Sequence, residues 1–182
     1  TPLKALWPEK VIYVGSFTKT LAPGYRVAWI ASGQYMADAR RYLDITARAI
    51  PMVLQMALAS FIKDNGLKNH LHNIRQSFEE NINTFREKVL AEFPSGTKVA
   101  NPKGGQFLWV ELPQGFDTVN LYSLGQKEGI STSPGILFSS RNYFKNCVRL
   151  NCCARKWDEE VEQAIVRLGE MAAVSRAKNN FY

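Results

Sequence analysis

One periodic run constrains this chain more than any other feature. Leu67, Leu71, Ile74, Phe78, Ile82, Phe85, Val89 and Phe93 recur at steps of four, three, four, four, three, four and four. That spacing lays them along one stripe of an α-helix over 67–93, closed by Pro94. A helix of about 27 residues with polar residues on its other faces can bridge two domains.

The flanks differ. On the N-terminal side, 11–14 is an apolar, β-branched run that reads as a buried parallel strand. A polar turn over 15–24 follows, then a second strand over 27–30. Helical patterning covers 35–50 and stops at Pro51, and another helix over 52–64 stops at Asn65-Gly66. On the C-terminal side, 107–112 alternates between Gly104-Gly105 and Pro113 and reads as a strand. Asp117 caps a helix that ends before Gly129, and 147–150 is a short strand. Asp158 caps a last helix that turns Val161, Ile165, Leu168 and Met171 or Ala172 inward. The polar tail after Ser175 is expected to fray. The sequence thus predicts an α/β protein in three parts, 1–66, 67–93 and 94–182.

Composition removes several function classes. Net charge is +7, but the 23 basic residues are spread along the chain rather than gathered into a nucleic-acid-binding block. The apolar run over 50–61 is too short to span a bilayer and contains Pro51 and Gln55. Cys147, Cys152 and Cys153 show neither a CxxC pair nor a nearby histidine, which argues against a zinc site and a disulfide framework. Reduced thiols in a cytoplasmic protein fit them best. His70 and His72 lie two apart and cannot share a helix face, so no metal is expected there.

The chemistry sits in the first turn. Ser16-Phe17-Thr18-Lys19-Thr20-Leu21-Ala22-Pro23-Gly24-Tyr25-Arg26 joins the two N-terminal strands, where open α/β sheets place their ligands. Hydroxyls donate to phosphate oxygens, and an arginine adds a planar charged fork. A lysine amine in such a cationic, partly desolvated site has its pKa lowered and attacks an aldehyde as the free base, giving a Schiff base. A lone lysine between threonines is otherwise ordinary surface.

The string Ser-x-Thr-Lys-x-x-x-Pro-Gly-x-Arg resembles the lysine signature of fold-type I pyridoxal 5'-phosphate (PLP) enzymes, the aminotransferase family. The resemblance implies that Lys19 forms the Schiff base with PLP, and that Ser16, Thr18 and Arg26 bind its phosphate. Thr18 stands for the commoner serine, and Ala28 for a common glycine. Asn101-Pro102-Lys103-Gly104-Gly105-Gln106-Phe107 resembles the turn that faces substrate from the small domain, with Gly104 and Gly105 as substrate-contacting positions. The 129–138 stretch resembles the loop that follows. Asn146-Cys147-Val148-Arg149-Leu150-Asn151-Cys152 resembles the strand whose arginine, here Arg149, pairs with a substrate α-carboxylate. A bidentate pair is the physical reason for arginine there.

The combined wording is most similar to the MocR-type transcriptional regulators of the GntR family, which join a DNA-binding winged helix to an aminotransferase-like domain. Free-standing aminotransferases share the main residues, and a cofactor-free interaction module is a third reading. The chain opens in mid-phrase without an initiator Met and is read as the C-terminal part of something longer. In that reading 1–66 is the end of the PLP-binding large domain, 67–93 the connecting helix and 94–182 the small domain. The ring-contacting residues of the family, notably the Asp that pairs with the pyridine nitrogen, are not in it. PLP is therefore expected in the intact protein and not on the 182 residues alone. Because the strands at 11–14 and 27–30 lack sheet neighbours, the segment before Tyr35 is expected to be disordered, rearranged or paired with another copy. The expected partners are an amino acid or related carboxylate, DNA only through a preceding domain, and a second subunit in a homodimer. No membrane is expected.

Overall fold

The computed structural model describes residues 1–47 and 51–176, and their packing divides them into two units, Thr1–Ile74 and Arg75–Tyr182.

In the first unit, α1 (Leu3–Leu6) leads to β1 (Tyr13–Ser16) and β2 (Ala28–Ala31). These strands pair antiparallel, Tyr13 opposite Ala31 and Ser16 opposite Ala28. The expected buried parallel strand is therefore corrected. A four-residue apolar run carries no directional signal, and the 17–27 connection holds no α-helix of the kind a parallel crossover needs. Nor are the strands buried: Val14 is 62% exposed. The helix expected over 35–50 is α2 (Met36–Thr46), entered through a 3₁₀ turn at Gly33–Tyr35. Its last expected residues, 48–50, lie outside the described residues. Next, α3 (Met52–Lys63) ends before Asn65, which adopts a left-handed φ of 57° and turns the chain into α4 (Gly66–Glu92).

The stripe on α4 becomes progressively more buried. Leu67, Leu71, Ile74 and Phe78 are half-buried, whereas Ile82, Phe85, Val89 and Phe93 are buried. In the second unit follow β3 (Lys98–Val99), β4 (Phe107–Glu111), α5 (Thr118–Lys127), β5 (Ser133–Pro134), β6 (Cys147–Asn151) and α6 (Glu159–Val174). The strands form one antiparallel sheet in the order β3-β4-β6-β5.

The two-residue strand period divides this sheet into two faces. Leu108 opposite Leu150 and Val110 opposite Val148 face inward and are fully or nearly buried. They share a core with Ile82, Phe85 and Val89 of α4, Leu121 of α5, and Ile165 and Leu168 of α6. The odd positions, Phe107, Trp109 and Arg149, take the other face. A Cβ on Gly169 would sit 2.5 Å from the Glu92 carbonyl, so glycine lets α6 approach the end of α4 closely.

Asn81, on α4, is buried among these elements. It donates to the Cys152 and Arg155 carbonyls at 3.2 and 3.1 Å and accepts from the Trp157 amide at 3.3 Å. Ser175 is fully buried and donates to the Ala172 carbonyl, and Arg176, the first residue of the tail expected to fray, forms a bridge with Phe116. Residues 177–182 lie outside the described residues. Among the described residues, no helix is long and apolar enough to cross a membrane.

Candidate functional site

The 17–27 connection holds its shape through its own backbone. The Phe17 amide donates to the Val27 carbonyl at 3.0 Å, extending the β1–β2 ladder by one bond. The Leu21 and Ala22 amides both donate to the Phe17 carbonyl, at 2.9 and 3.2 Å. A 3₁₀ turn at Pro23–Tyr25 then delivers Arg26, whose φ of 52° and ψ of 27° are left-handed. For a residue other than glycine that conformation costs on the order of 1 kcal/mol, and such strain tends to sit where a side chain has a task. His70, from the first turns of α4, places Nε2 3.0 Å from the Thr20 carbonyl. A carbonyl only accepts, so the contact puts the ring proton on Nε2.

The four side chains assigned to PLP therefore lie on one turn of the first unit. The Thr18 amide donates to Ser16 Oγ at 3.1 Å. This occupies an acceptor position of that hydroxyl and leaves its own proton for another oxygen. Thr18 is half-buried, while Ser16, Lys19 and Arg26 are exposed. Positions 16–26 contain two cations and four hydroxyl-bearing side chains and no carboxylate, a donor set that fits a phosphate monoester.

In the second unit, Arg149 lies on β6 opposite Trp109 of β4 and Ser133 of β5. Its guanidinium carbon lies 4.2 Å from the centroid of Phe107 and 4.5 Å from that of Phe138. Trp109 meets Phe138 and Phe144 edge-on, each at 5.6 Å. Arg149 Nε is buried with no hydrogen-bond partner, and among the described residues no carboxylate pairs with the side chain. A surface salt bridge, the ordinary use of such an arginine, is thereby absent among them.

Gly104 and Gly105 lie in the loop before β4, close in sequence to Phe107. Gly105 has a φ of 104°, and a Cβ there would meet nothing, so backbone conformation rather than space calls for glycine. The loop lines a hollow of about 510 Å³ together with Phe78 and Ile82 of α4. A larger hollow of about 670 Å³, beside the start of α5, contains none of these residues.

Burial keeps the thiols in their protonated form at neutral pH. Burial pushes Cys152 up to about 12 and Cys153 up to about 11, and raises Cys147 as well. No metal-holding cluster of His, Cys, Asp or Glu occurs among the described residues. Three contributors went unrecognised in the sequence. The spacing of His70 and His72 speaks only to metal binding, Asn81 reads as one more polar helix position, and Phe138 closes the 129–138 stretch with nothing in the sequence to tie it to Arg149.

Comparison with known proteins gives two kinds of relative. The chain is 33% identical over 170 residues to the uncharacterized HTH-type transcriptional regulator YjiR of Escherichia coli (strain K12), covering 92% of this chain and 35% of the relative. It is 32% identical over 176 residues to aromatic-amino-acid aminotransferase 1 of Thermococcus litoralis, covering 93% of this chain and 41% of the relative. Among solved structures, the kynurenine aminotransferase of Pyrococcus horikoshii in complex with PMP superposes with a TM-score of 0.83 at 28% identity, over 94% of this chain and 43% of that one. The chain thus spans well under half the length of these relatives. The family model for aminotransferase class I and II matches residues 4–168, a span that takes in both the lysine turn and the Arg149 strand, and the chain belongs to that family.

Proposed function

We propose that this chain is the C-terminal part of an aminotransferase-like, PLP-binding effector domain of a GntR/MocR-type transcriptional regulator. In this reading 1–66 closes the PLP-binding large domain, 67–93 is the connecting helix and 94–182 is the small domain. The observation that carries it is the turn at 16–26, which gathers one arginine and four hydroxyls around Lys19 and contains no acid. Ser16, Thr18 and Arg26 bind the phosphate, and Lys19 holds the cofactor covalently through its amine. PLP, when bound, supplies an electrophilic carbon and an electron sink. Arg149 grips the carboxylate of an amino acid or related ligand, with Gly104 and Gly105 beside it. Ligand arrival then biases DNA-binding arms that precede this chain, in a cytoplasmic homodimer.

A second reading, a free-standing amino-acid aminotransferase in which Lys19 also moves a proton at the substrate Cα, is favoured by the similarity to an aromatic-amino-acid aminotransferase at almost the same identity. The residues preceding Thr1 separate the two readings, since a winged helix there marks a regulator. Both share one test on the full-length protein. Lys19→Ala is expected to abolish the PLP adduct that borohydride traps, and a fully occupied adduct in that variant would remove Lys19 from its role. Arg149→Lys is expected to weaken amino-acid binding while PLP stays bound; equal loss of both ligands would make Arg149 structural.

A further inference from the structure

The surroundings of Arg149 say more than that it is an anion-binding residue. Its guanidinium carbon lies over two aromatic rings, Phe107 from β4 at 4.2 Å and Phe138 from the turn after β5 at 4.5 Å. Both rings keep part of their surface open, 40% and 43% respectively. Phe138 is in turn braced by the edge of Trp109 at 5.6 Å and 73°. An arginine held against two rings loses rotation about its terminal bonds and gives up none of its in-plane donors. Of those donors, Nε is already shut away, buried and without a partner among the described residues. The outward fork is therefore made by the two Nη groups.

We infer that Phe107 and Phe138 are positioning residues that hold the Arg149 guanidinium for end-on, two-Nη pairing with a ligand carboxylate. The inference rests on the reading of Arg149 given above. The rings touch the arginine rather than the carboxylate, and they act by removing the freedom that the fork would otherwise lose on binding. The face of the ring matters here, and its bulk does not.

The test uses full-length, PLP-loaded protein and calorimetric dissociation constants for the proteinogenic L-amino acids, taking the tightest binder as probe. Phe107→Leu and Phe138→Leu are each expected to weaken the probe by about three- to tenfold. Phe138→Tyr, which restores a π face, is expected to stay within about twofold of the unsubstituted protein. PLP retention and the melting temperature are expected to hold. In an Arg149→Lys background, Phe138→Leu is expected to add nothing further. If Arg149→Lys weakens the probe and the leucine variants do not, the clamp is overturned and the reading of Arg149 stands. Leucine variants that lose PLP or melt early in proportion make the rings structural, which also overturns the clamp. If Arg149→Lys changes nothing, or if no amino acid binds, the reading falls and the inference falls with it.

Discussion

Val14 in β1 and Val148 in β6 are the same side chain on the same kind of backbone, yet the first is 62% exposed and the second fully buried. The contrast extends to the units around them. In the second unit Leu108, Val110, Leu121 and Leu168 belong to one continuous core closed by three helices. In the first, α2 buries no side chain, α3 buries only Leu58, and Ile45, Met52 and Val53 are each at least 72% exposed. An apolar strand pattern records that a segment expects cover; it does not say that the chain supplies the cover. The lysine turn is carried by the open unit and the arginine clamp by the closed one.

Separating the two halves is the harshest way to break this comparison. A chain of residues 66–182, which keeps α4 whole, is expected to unfold in urea in one cooperative transition. Residues 1–65 alone are expected to show no cooperative transition and to bind a hydrophobic dye. A sharp transition in the N-terminal piece would mean that its exposed side chains find cover within it.

Single side chains give the next largest difference. Leu108→Ala removes a fully buried core residue and is expected to cost about 2–5 kcal/mol in denaturant unfolding. Val53→Ala, at a site 75% exposed, is expected to stay within about 0.5 kcal/mol. Comparable losses at both sites would erase the distinction.

The same contrast explains what could be read in advance. The α4 stripe was legible because eight apolar positions at helical steps have no other regular solution, and the structure differs by one residue at each end. The Asp117 and Asp158 caps were legible because capping chemistry is local. Strand direction was not, since the pairing of β1 with β2 depends on how the chain returns through 17–27. Nor were β3 and β5 legible, as Lys98–Val99 and Ser133–Pro134 are too short to show a period. At the candidate site, the lysine turn lies within eleven consecutive residues of sequence and could be read off directly. The clamp joins three separate elements, and no spacing rule connects Phe107, Phe138 and Arg149.

Asn81 tests whether the closed unit depends on polar pairing as well as apolar burial. Its amide serves two carbonyls and one amide of the 152–157 loop that follows the Arg149 strand. Asn81→Ala leaves those groups without their partner and is expected to cost about 2 kcal/mol. Asn81→Asp keeps the acceptor for Trp157 but loses both donations, and is expected to fall no closer to the original. A neutral Asn81→Ala would show that solvent replaces all three bonds.

The smallest expected effect concerns helix ends, where the units differ again. In the closed unit, the Asp117 carboxylate accepts from the Val119 and Asn120 amides at 2.9 and 3.4 Å, and Asp158 accepts from the Val161 amide at 2.9 Å. In the open unit, α2 and α3 begin at Tyr35 and Pro51 with no side-chain cap. Asp117→Ala is therefore expected to cost about 1 kcal/mol, and Tyr35→Ala less. Asp158 adds a pH signature. The Val161 amide, followed by Arg155, holds its carboxyl below the ordinary 3.8. A lowered folded-state value means that the ionised form favours the folded chain. Its contribution is thus complete above 3.8 and is lost as pH falls through the lower folded value. The melting temperature of Asp158→Ala should lie below that of the original at neutral pH, and the gap should narrow as the medium is acidified past that range. A gap that stays constant down to pH about 2 would show that Asp158 acts through packing rather than through its charge.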